Sequence, residues 1–318
     1  MRVFRTALPA AALLCAAIWA AGPQAAVPSP PPPAPTGADD SSLIKVDVTR
    51  NNILFTVTDK KGRFITDLTK DDFEIMENRR PQQILEFAAK SDLPLRLGIL
   101  IDTSNSIRER FHFEQEAATD FIKDVMRPKV DKALVVGFDT TAQLASDLVD
   151  DPEKAAASIV RLRPGGGTAL YDAIYFACHD KLGQDMPKHD FRRAIVILSD
   201  GEDDQSRYTR DQALEMAIKN EVVIYAISTN VTHVETDGDK LLTYLTNQTG
   251  GVVYFPFKAE DMAQSFQDIA NELRHQYNIS YRPEPLATDG KFHEVQMRVK
   301  GHKDFIIRAR AGYYAQKQ

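Results

Sequence analysis

The chain has 318 residues, 43% hydrophobic and 26% charged, an ordinary balance for a globular protein. Its formal charge of −6 gives no electrostatic reason to expect nucleic acid or an anionic membrane as a partner. The length allows two medium domains, or one with additions.

Residues 1–26 are expected to lie outside the fold. Arg2 and Arg5 form a short positive region, "ALPAAALLCAAIWAA" is apolar, and small residues follow at Gly22, Ala25 and Ala26. That order is the order of a secretory signal peptide. The apolar stretch is short and Pro-interrupted for a membrane span, so no stable span is expected after cleavage. The mature protein is therefore placed outside the cytoplasm, secreted or periplasmic. Residues 27–42 form a Pro-rich linker, with "VPSPPPPAPTG" predicting an extended tether. Of the two cysteines, Cys15 falls in the signal region, without the small residue before it that a lipoprotein signal shows. Cys178 then has no partner in the mature chain, which excludes an internal disulfide. It sits in a helical pattern as a small buried hydrophobe.

Residues 43–90 carry β signals. Ile53, Phe55 and Val57 alternate, "DKKGR" supplies a turn, and "DDFEIMENRRPQQILEF" predicts two more short strands. The pattern then changes. "LRLGILID", "KALVVGFD", "RRAIVILSD" and "EVVIYAIS" are short runs apolar on both faces, as in a parallel sheet covered on both sides. Amphipathic stretches separate them. One runs through Leu170, Ala173, Ile174, Ala177 and Cys178, another through Met262, Phe266, Ile269 and Leu273. This alternation predicts a doubly wound, mostly parallel α/β domain over 93–275. From 277 to 318 the β signal returns in "QYNISY", "HEVQMRVK" and "DFIIRARAGYY". Neither outer segment alone looks able to bury a large core. The two are expected to pair as one β-sheet or β-sandwich module, with the α/β domain inserted between them.

Ligands of open α/β sheets sit beyond the carboxyl ends of the strands. Asp102 falls there, at the end of an apolar run and followed by Ser104 and Ser106 at alternate positions. Asp200 falls there too, in "LSDGEDD". The third feature is "PGGGTALYDAI", whose glycines allow close backbone approach and whose Thr168 is placed as the cap of the next helix. Asp102, Ser104, Ser106, Thr168 and Asp200 offer only oxygen, the donor that a hard divalent cation prefers. Two carboxylates and three hydroxyls leave charge and coordination for a ligand carboxylate to complete. Each piece has a plain alternative: Asp and Ser before a helix are often caps, and "SDG" is often a turn. Three such features at the right strand and helix edges favour a metal site.

Residues 93–257 resemble a von Willebrand factor type A domain through "DTSNS" (102–106), "GGGTALYDAI" (165–174) and "LSDGEDD" (198–204). The family's metal-ion-dependent adhesion site, or MIDAS, takes a D-x-S-x-S loop, a Thr from a second loop and an Asp from a third. The resemblance implies that Asp102, Ser104, Ser106, Thr168 and Asp200 hold Mg²⁺ (or Mn²⁺ or Ca²⁺). It further implies that the hydroxyls bind directly or nearly so, and that the aspartates often act through water. The outer segments, with "GYYA" near the end, more weakly resemble bacterial secreted proteins that carry such a domain.

Other chemistry finds less support. There is no Gly-x-Ser-x-Gly, Walker or dinucleotide fingerprint. The seven histidines are scattered, and His112, His179 and His189 are expected to be solvated. Glu202, Asp203 and Asp204 form a solvated acidic loop, or a rim that tunes partner choice by repulsion. Arg108 and Arg110 are exposed helix arginines, or part of that rim. The sequons at Asn230, Asn247 and Asn278 carry meaning only in a eukaryotic secretory setting. The sequence thus predicts a non-enzymatic, extracytoplasmic binding or adhesion module. It would engage a protein ligand that offers an Asp or Glu carboxylate, with no nucleic acid as partner. A metal-dependent hydrolase, or a structural module with a vestigial site, are the alternatives.

Overall fold

The computed structural model describes residues 50–89, 92–108, 110–230, 232, 234–256 and 258–317, with the side chains of Ser106, Ala259 and Glu260 left out of the description. The expected signal peptide and Pro-rich linker lie outside the described residues.

The chain opens with four strands: β1 (Asn51–Thr58), β2 (Phe73–Glu77), β3 (Arg80–Gln82) and β4 (Ile84–Ala88). The α/β part follows as β5 (Leu95–Asp102), α1 (Phe111–Val125), β6 (Lys132–Phe138), β7 (Ala142–Val149), α2 (Pro152–Val160) and α3 (Leu170–Phe176). It continues with β8 (Arg192–Ser199), α4 (Arg210–Lys219), β9 (Val222–Ser228), α5 (Asp237–Thr249), β10 (Val253–Tyr254) and α6 (Ala259–Arg274). Four strands close the chain: β11 (Tyr277–Tyr281), β12 (Phe292–Val299), β13 (Ile306–Ala309) and β14 (Gly312–Tyr314).

Among the described residues, the central sheet has the order β10-β9-β8-β5-β6-β7, parallel throughout except for β7. Every residue of β5, β8 and β9 is buried, because helices cover both faces. Leu97, Ile99, Val196 and Leu198 pack with Phe121 of α1, Ile159 of α2 and Phe266 of α6. Leu100, Val136, Ile195 and Ile197 pack with Ile174 of α3, Leu214 of α4 and Leu242 of α5. The fold is the doubly wound one that the sequence predicts. Two edge strands add to it. β7, which carries Gln143 and Asp147 and is largely half-exposed, lacks the apolar run that marked its neighbours, and β10 is only two residues long. Cys178 is fully buried, and burial pushes its thiol pKa up.

The outer segments interleave into two antiparallel sheets, β13-β1-β11-β4 and β14-β12-β2-β3. β11 lies between β1 and β4, and β12 lies between β14 and β2. The sheets share one core of Ile53, Phe55, Phe73, Ile75, Tyr277 and Ile279, with Phe55 stacked on Tyr277 at 5.3 Å and edge-on to Phe73 at 5.1 Å. The stretch "DDFEIMENRRPQQILEF" makes three strands rather than two. Asn78 and Arg79 both take positive φ, so the chain folds back after β2 into the short β3.

This sandwich meets the α/β part where α5 and α6 end. Gly250 closes α5 at φ +86°, and a Cβ there would lie 2.6 Å from the Ala309 carbonyl carbon of β13. Glu272 of α6 accepts from Thr56 Oγ1 (2.7 Å) and Arg308 Nη1 (2.6 Å), which joins α6 to β1 and β13. The helix C-termini lie at the amino ends of the parallel strands, so the strand tips point to the opposite pole.

A peptide spanning β1–β4 alone is expected to give a random-coil circular dichroism spectrum, because β1 and β2 each depend on C-terminal strands for pairing. A folded spectrum with a cooperative melt would contradict this interleaved arrangement.

Candidate metal centre

β5 carries Asp102 to the sheet tip and buries it completely. Both carboxylate oxygens are engaged: Oδ1 accepts the Ser104 N–H (2.8 Å) and Oδ2 accepts the Ser199 hydroxyl (2.7 Å). The first bond is an Asx-turn, which bends the chain so that Ser104 precedes a short 3₁₀ turn at Asn105–Ile107. Ser106 lies within that turn; its side chain is outside the description. Ser199, the last residue of β8, also accepts the Gly201 N–H (3.0 Å), so one buried hydroxyl ties Asp102 to the loop of Asp200.

The glycine loop is strapped to the first loop. Gly165 N–H donates to the Thr103 carbonyl (2.6 Å), and the Asn105 backbone and side-chain amides both donate to the Gly166 carbonyl. Gly166 sits at φ +85°, where a Cβ would lie 2.7 Å from Thr140 Oγ1. Thr168 is nearly buried, and both its backbone groups are held from the third loop. Its N–H donates to Asp204 Oδ1 (2.8 Å), and its carbonyl accepts from the Asp204 and Gln205 N–H groups. α3 begins at Leu170 with Ala169 at its cap, so Thr168 is not the helix cap that the sequence suggested. The Asp204 bond occupies its backbone instead.

Asp203 and Asp204 are also more than a solvated rim. Asp203 Oδ2 accepts the Tyr171 N–H (3.0 Å) and the Ser206 hydroxyl (2.6 Å). In return, Asp172 Oδ1 accepts the backbone N–H groups of Arg207 (2.9 Å) and Tyr208 (3.0 Å). The second and third loops therefore clasp each other through three carboxylates. Glu202 stays exposed at the mouth. Asp200 Oδ1 accepts the Glu202 N–H (3.1 Å). Gly201, at φ +80°, lies against Gly238 of α5 so closely that a Cβ would fall 2.3 Å from the Gly238 carbonyl oxygen.

Ser104 and Thr168 open onto one shallow cleft of about 720 Å³, whose far wall is Gly201, Glu202 and Asp237. The structure thus brings Ser104 and Thr168 to one mouth, with Asp102 beneath it and Asp200 close enough to raise the Asp102 pKa. Arg108 donates to Asn105 Oδ1 (2.8 Å), and the half-buried Arg110 reaches the Thr229 carbonyl (3.5 Å). His112, His179 and His189 are exposed and away from the cleft, as expected.

Burial pushes Asp102 up to about 6, with Asp200 adding to the rise. A residue outside the three sequence motifs adds to this charge. Glu114 of α1 is fully buried on the apolar stripe of Phe111, Ala118, Phe121 and Ile122, and burial followed by the Asp102 charge pushes it up to about 8. Buried carboxylates that repel one another, beneath neutral hydroxyls, make an oxygen-only donor set that fits a hard divalent cation. Among the described residues no three or more His, Cys, Asp or Glu side chains gather as a metal-holding group, so a cation here would depend on the hydroxyls.

These features define a doubly wound domain with a hydroxyl-and-carboxylate centre at its sheet tip. Residues 97–202 match the family model of the von Willebrand factor type A domain. Among solved structures, a von Willebrand factor type A protein from Catenulispora acidiphila is similar at 16% identity over 77% of this chain and 73% of that one, with a TM-score of 0.51. Proximal thread matrix protein 1 from the mussel byssus is 17% identical over 61% and 50%, with a TM-score of 0.49. The PilB minor pilin from Streptococcus sanguinis is 16% identical over 57% and 62%, with a TM-score of 0.46. The chain spans half of the matrix protein and under two thirds of the pilin. No curated protein matches it.

In metal-free protein, Asp102 and Glu114 keep protons that the unfolded chain releases near 3.8 and 4.5. Their contribution to stability is fully present below those values and is lost as pH rises through about 6 and about 8. In EDTA the melting temperature is expected to fall between about pH 5 and about pH 8, and the gain on adding Mg²⁺ to be larger at the upper end. A melting temperature in EDTA that rises across this interval would contradict the assignment.

Proposed function

We propose that this chain is an extracytoplasmic binding module that takes a divalent cation at the tip of β5 and, through it, a carboxylate of a protein partner. The observation that carries this is the convergence of Ser104 and Thr168 on one open cleft, above an Asp102 whose two oxygens are already engaged. Ser104, Ser106 and Thr168 would hold the cation from the mouth, and Asp102 and Asp200 would act at one remove, through water. Neutral donors leave the bound cation much of its charge, which supplies an electrophilic anchor for a carboxylate.

The residues around the cleft govern which acid can reach that anchor. Ser199 and the Ser104 amide fix Asp102, while the Asp203, Asp204 and Asp172 clasp holds Thr168 in place before any ligand arrives. Glu202 and Asp237 on the cleft wall repel an acid that approaches without neutral or basic neighbours. Arg210, on the same wall, opposes them. A single acid carries little identity, so the surrounding loops set the choice of partner.

Hydrolysis finds less support. A general base has to reach a nucleophile on the substrate's side of the site. Among the described residues lining the cleft there is neither His nor Lys; Asp203 and Asp204 are tied to the Tyr171 and Thr168 amides, Asp237 pairs with Lys240, and Glu202 is exposed on the rim. Extracytoplasmic placement rests on the signal-like 1–26 segment. The described residues contain no helix long and apolar enough to cross a membrane.

Asp102→Ala is expected to abolish Mg²⁺ binding by calorimetry while leaving the far-ultraviolet spectrum unchanged. Wild-type affinity in this variant would refute the site. Capture from envelope or secreted extract is expected to require Mg²⁺ and fail in EDTA, with acetate competing weakly. Glu202→Lys should strengthen capture of a partner that presents an isolated acid; equal capture with Mg²⁺ and with EDTA would reduce the site to a scaffold feature.

A further inference from the structure

A second cleft, of about 580 Å³, opens at the amino ends of β8 and β9, where the sandwich meets the turn between α4 and β9. Five cations line it, Arg50, Lys188, Lys219, Arg310 and Lys317, against one acid, Glu221, among the described residues. In a chain of formal charge −6 this is a local reversal of sign. Nearby carboxylates offset it only in part. Glu86 pairs with Arg50 and Glu215 with Lys219 (2.5 Å), but Glu221 stands 3.7 Å from Arg310 Nη1, too far for a charge-assisted hydrogen bond. Lys188 and Lys317 make no ion pair among the described residues, and the Lys188 ammonium donates to the Lys219 carbonyl (2.7 Å). Burial lowers the Lys188 pKa; Glu221 opposes this, while Arg193, Arg310 and Lys219 lower it further. Arg310 is the buried member of the set, at 8% exposure. Its Nη2 donates to the Asn52 carbonyl (2.8 Å), and its Nε–H has no partner among the described residues. A buried guanidinium left one partner short is costly.

We propose that this cleft is a ligand site for a small dianion, of phosphate or dicarboxylate chemistry. Lys188 and Arg310 supply the partly desolvated charge, and Arg50, Lys219 and Lys317 supply the exposed charge around them. A divalent oxyanion answers the positive field that the long Glu221 pair leaves uncancelled, and its several acceptor oxygens suit ammonium and guanidinium donors together. The volume lies within the range of small-molecule sites, about 300 to 1,000 Å³. Leu286, Tyr313 and Tyr314 add apolar wall for an organic substituent. Arg50, Arg310 and Lys317 belong to the sandwich, and Lys188 and Lys219 to the α/β part. A bound dianion therefore braces the two across their seam. The site lies at the pole opposite the hydroxyl cleft and does not rest on the metal-site reading.

Sodium phosphate is titrated into the full chain by calorimetry in EDTA, with ionic strength held constant by sodium chloride. Saturable binding is expected, with a melting temperature that rises with occupancy. Succinate in a parallel titration separates the two chemistries: binding of one anion alone assigns that chemistry, and binding of both assigns the dianion they share. If neither binds above chloride, the proposal falls. Lys188→Met is expected to weaken the Kd about tenfold or more. Lys188 also holds the end of α4 through the Lys219 carbonyl, so the exposed Lys317→Gln provides a second loss, of about threefold or more. Glu221→Gln removes the opposing acid and should tighten the anion about threefold or more, a gain that damage to the fold does not produce. An unchanged Kd in both lysine variants, or an unchanged or weaker Kd in Glu221→Gln, overturns the proposal.

Discussion

A carboxylate with no exposure at the end of the central strand is the constraint around which the upper half of this molecule is arranged. Asp102 arrives there because β5 is buried on both faces and ends on an acid. A charge in that position is tolerable only if its oxygens are met. One is met by the chain's own turn at Ser104, and the other by Ser199 from the adjacent strand. The second bond forces the tips of β5 and β8 into register and places Asp200 beside the first loop. Hydrogen bonds thus satisfy Asp102 geometrically, while burial and the neighbouring Asp200 charge still push its pKa up.

The loops around this buried acid are tied closely to one another. Loops at a strand tip are ordinarily the loosest part of a domain. Here the first loop is bonded to the glycine loop through Gly165 and Asn105, and the glycine loop is clasped to the third through Asp203, Asp204 and Asp172. Gly201 and Gly238 let α5 press directly against the third loop. Ser104 and Thr168 are therefore positioned by backbone bonds made elsewhere in the loops.

The parts legible in the sequence are those whose signal is local. The four central strands announce themselves by uninterrupted apolar runs, and the tip residues by their spacing after a strand. The pairing of the outer segments follows from neither being able to bury a core alone, and β11 and β12 sit within sheets that contain N-terminal strands as that requires. The features that escape a sequence reading depend on partners distant in the chain. Ser199 is an ordinary strand residue until Asp102 lies across from it. Asp203 and Asp204 look like solvated acids until Thr168 and Tyr171 present their amides. β7 is half-exposed at a sheet edge, so its composition is that of a loop. Glu114 differs, because a carboxylate on the stripe of Phe111, Ala118 and Phe121 is a local anomaly visible in the helix pattern itself.

The two poles of the molecule divide its work. The chain enters the α/β part from β4 and leaves it from α6 into β11, so both connections run through the sandwich at one end. Glu272, held by Thr56 and Arg308, and Gly250, pressed against Ala309, fasten the same end. No chain crossing is needed at the opposite pole, which leaves the loops there free to form a cleft rather than a junction. The buried acid at the strand tip is carried by a strand hydrogen-bonded on both sides, and the cleft at that pole remains open.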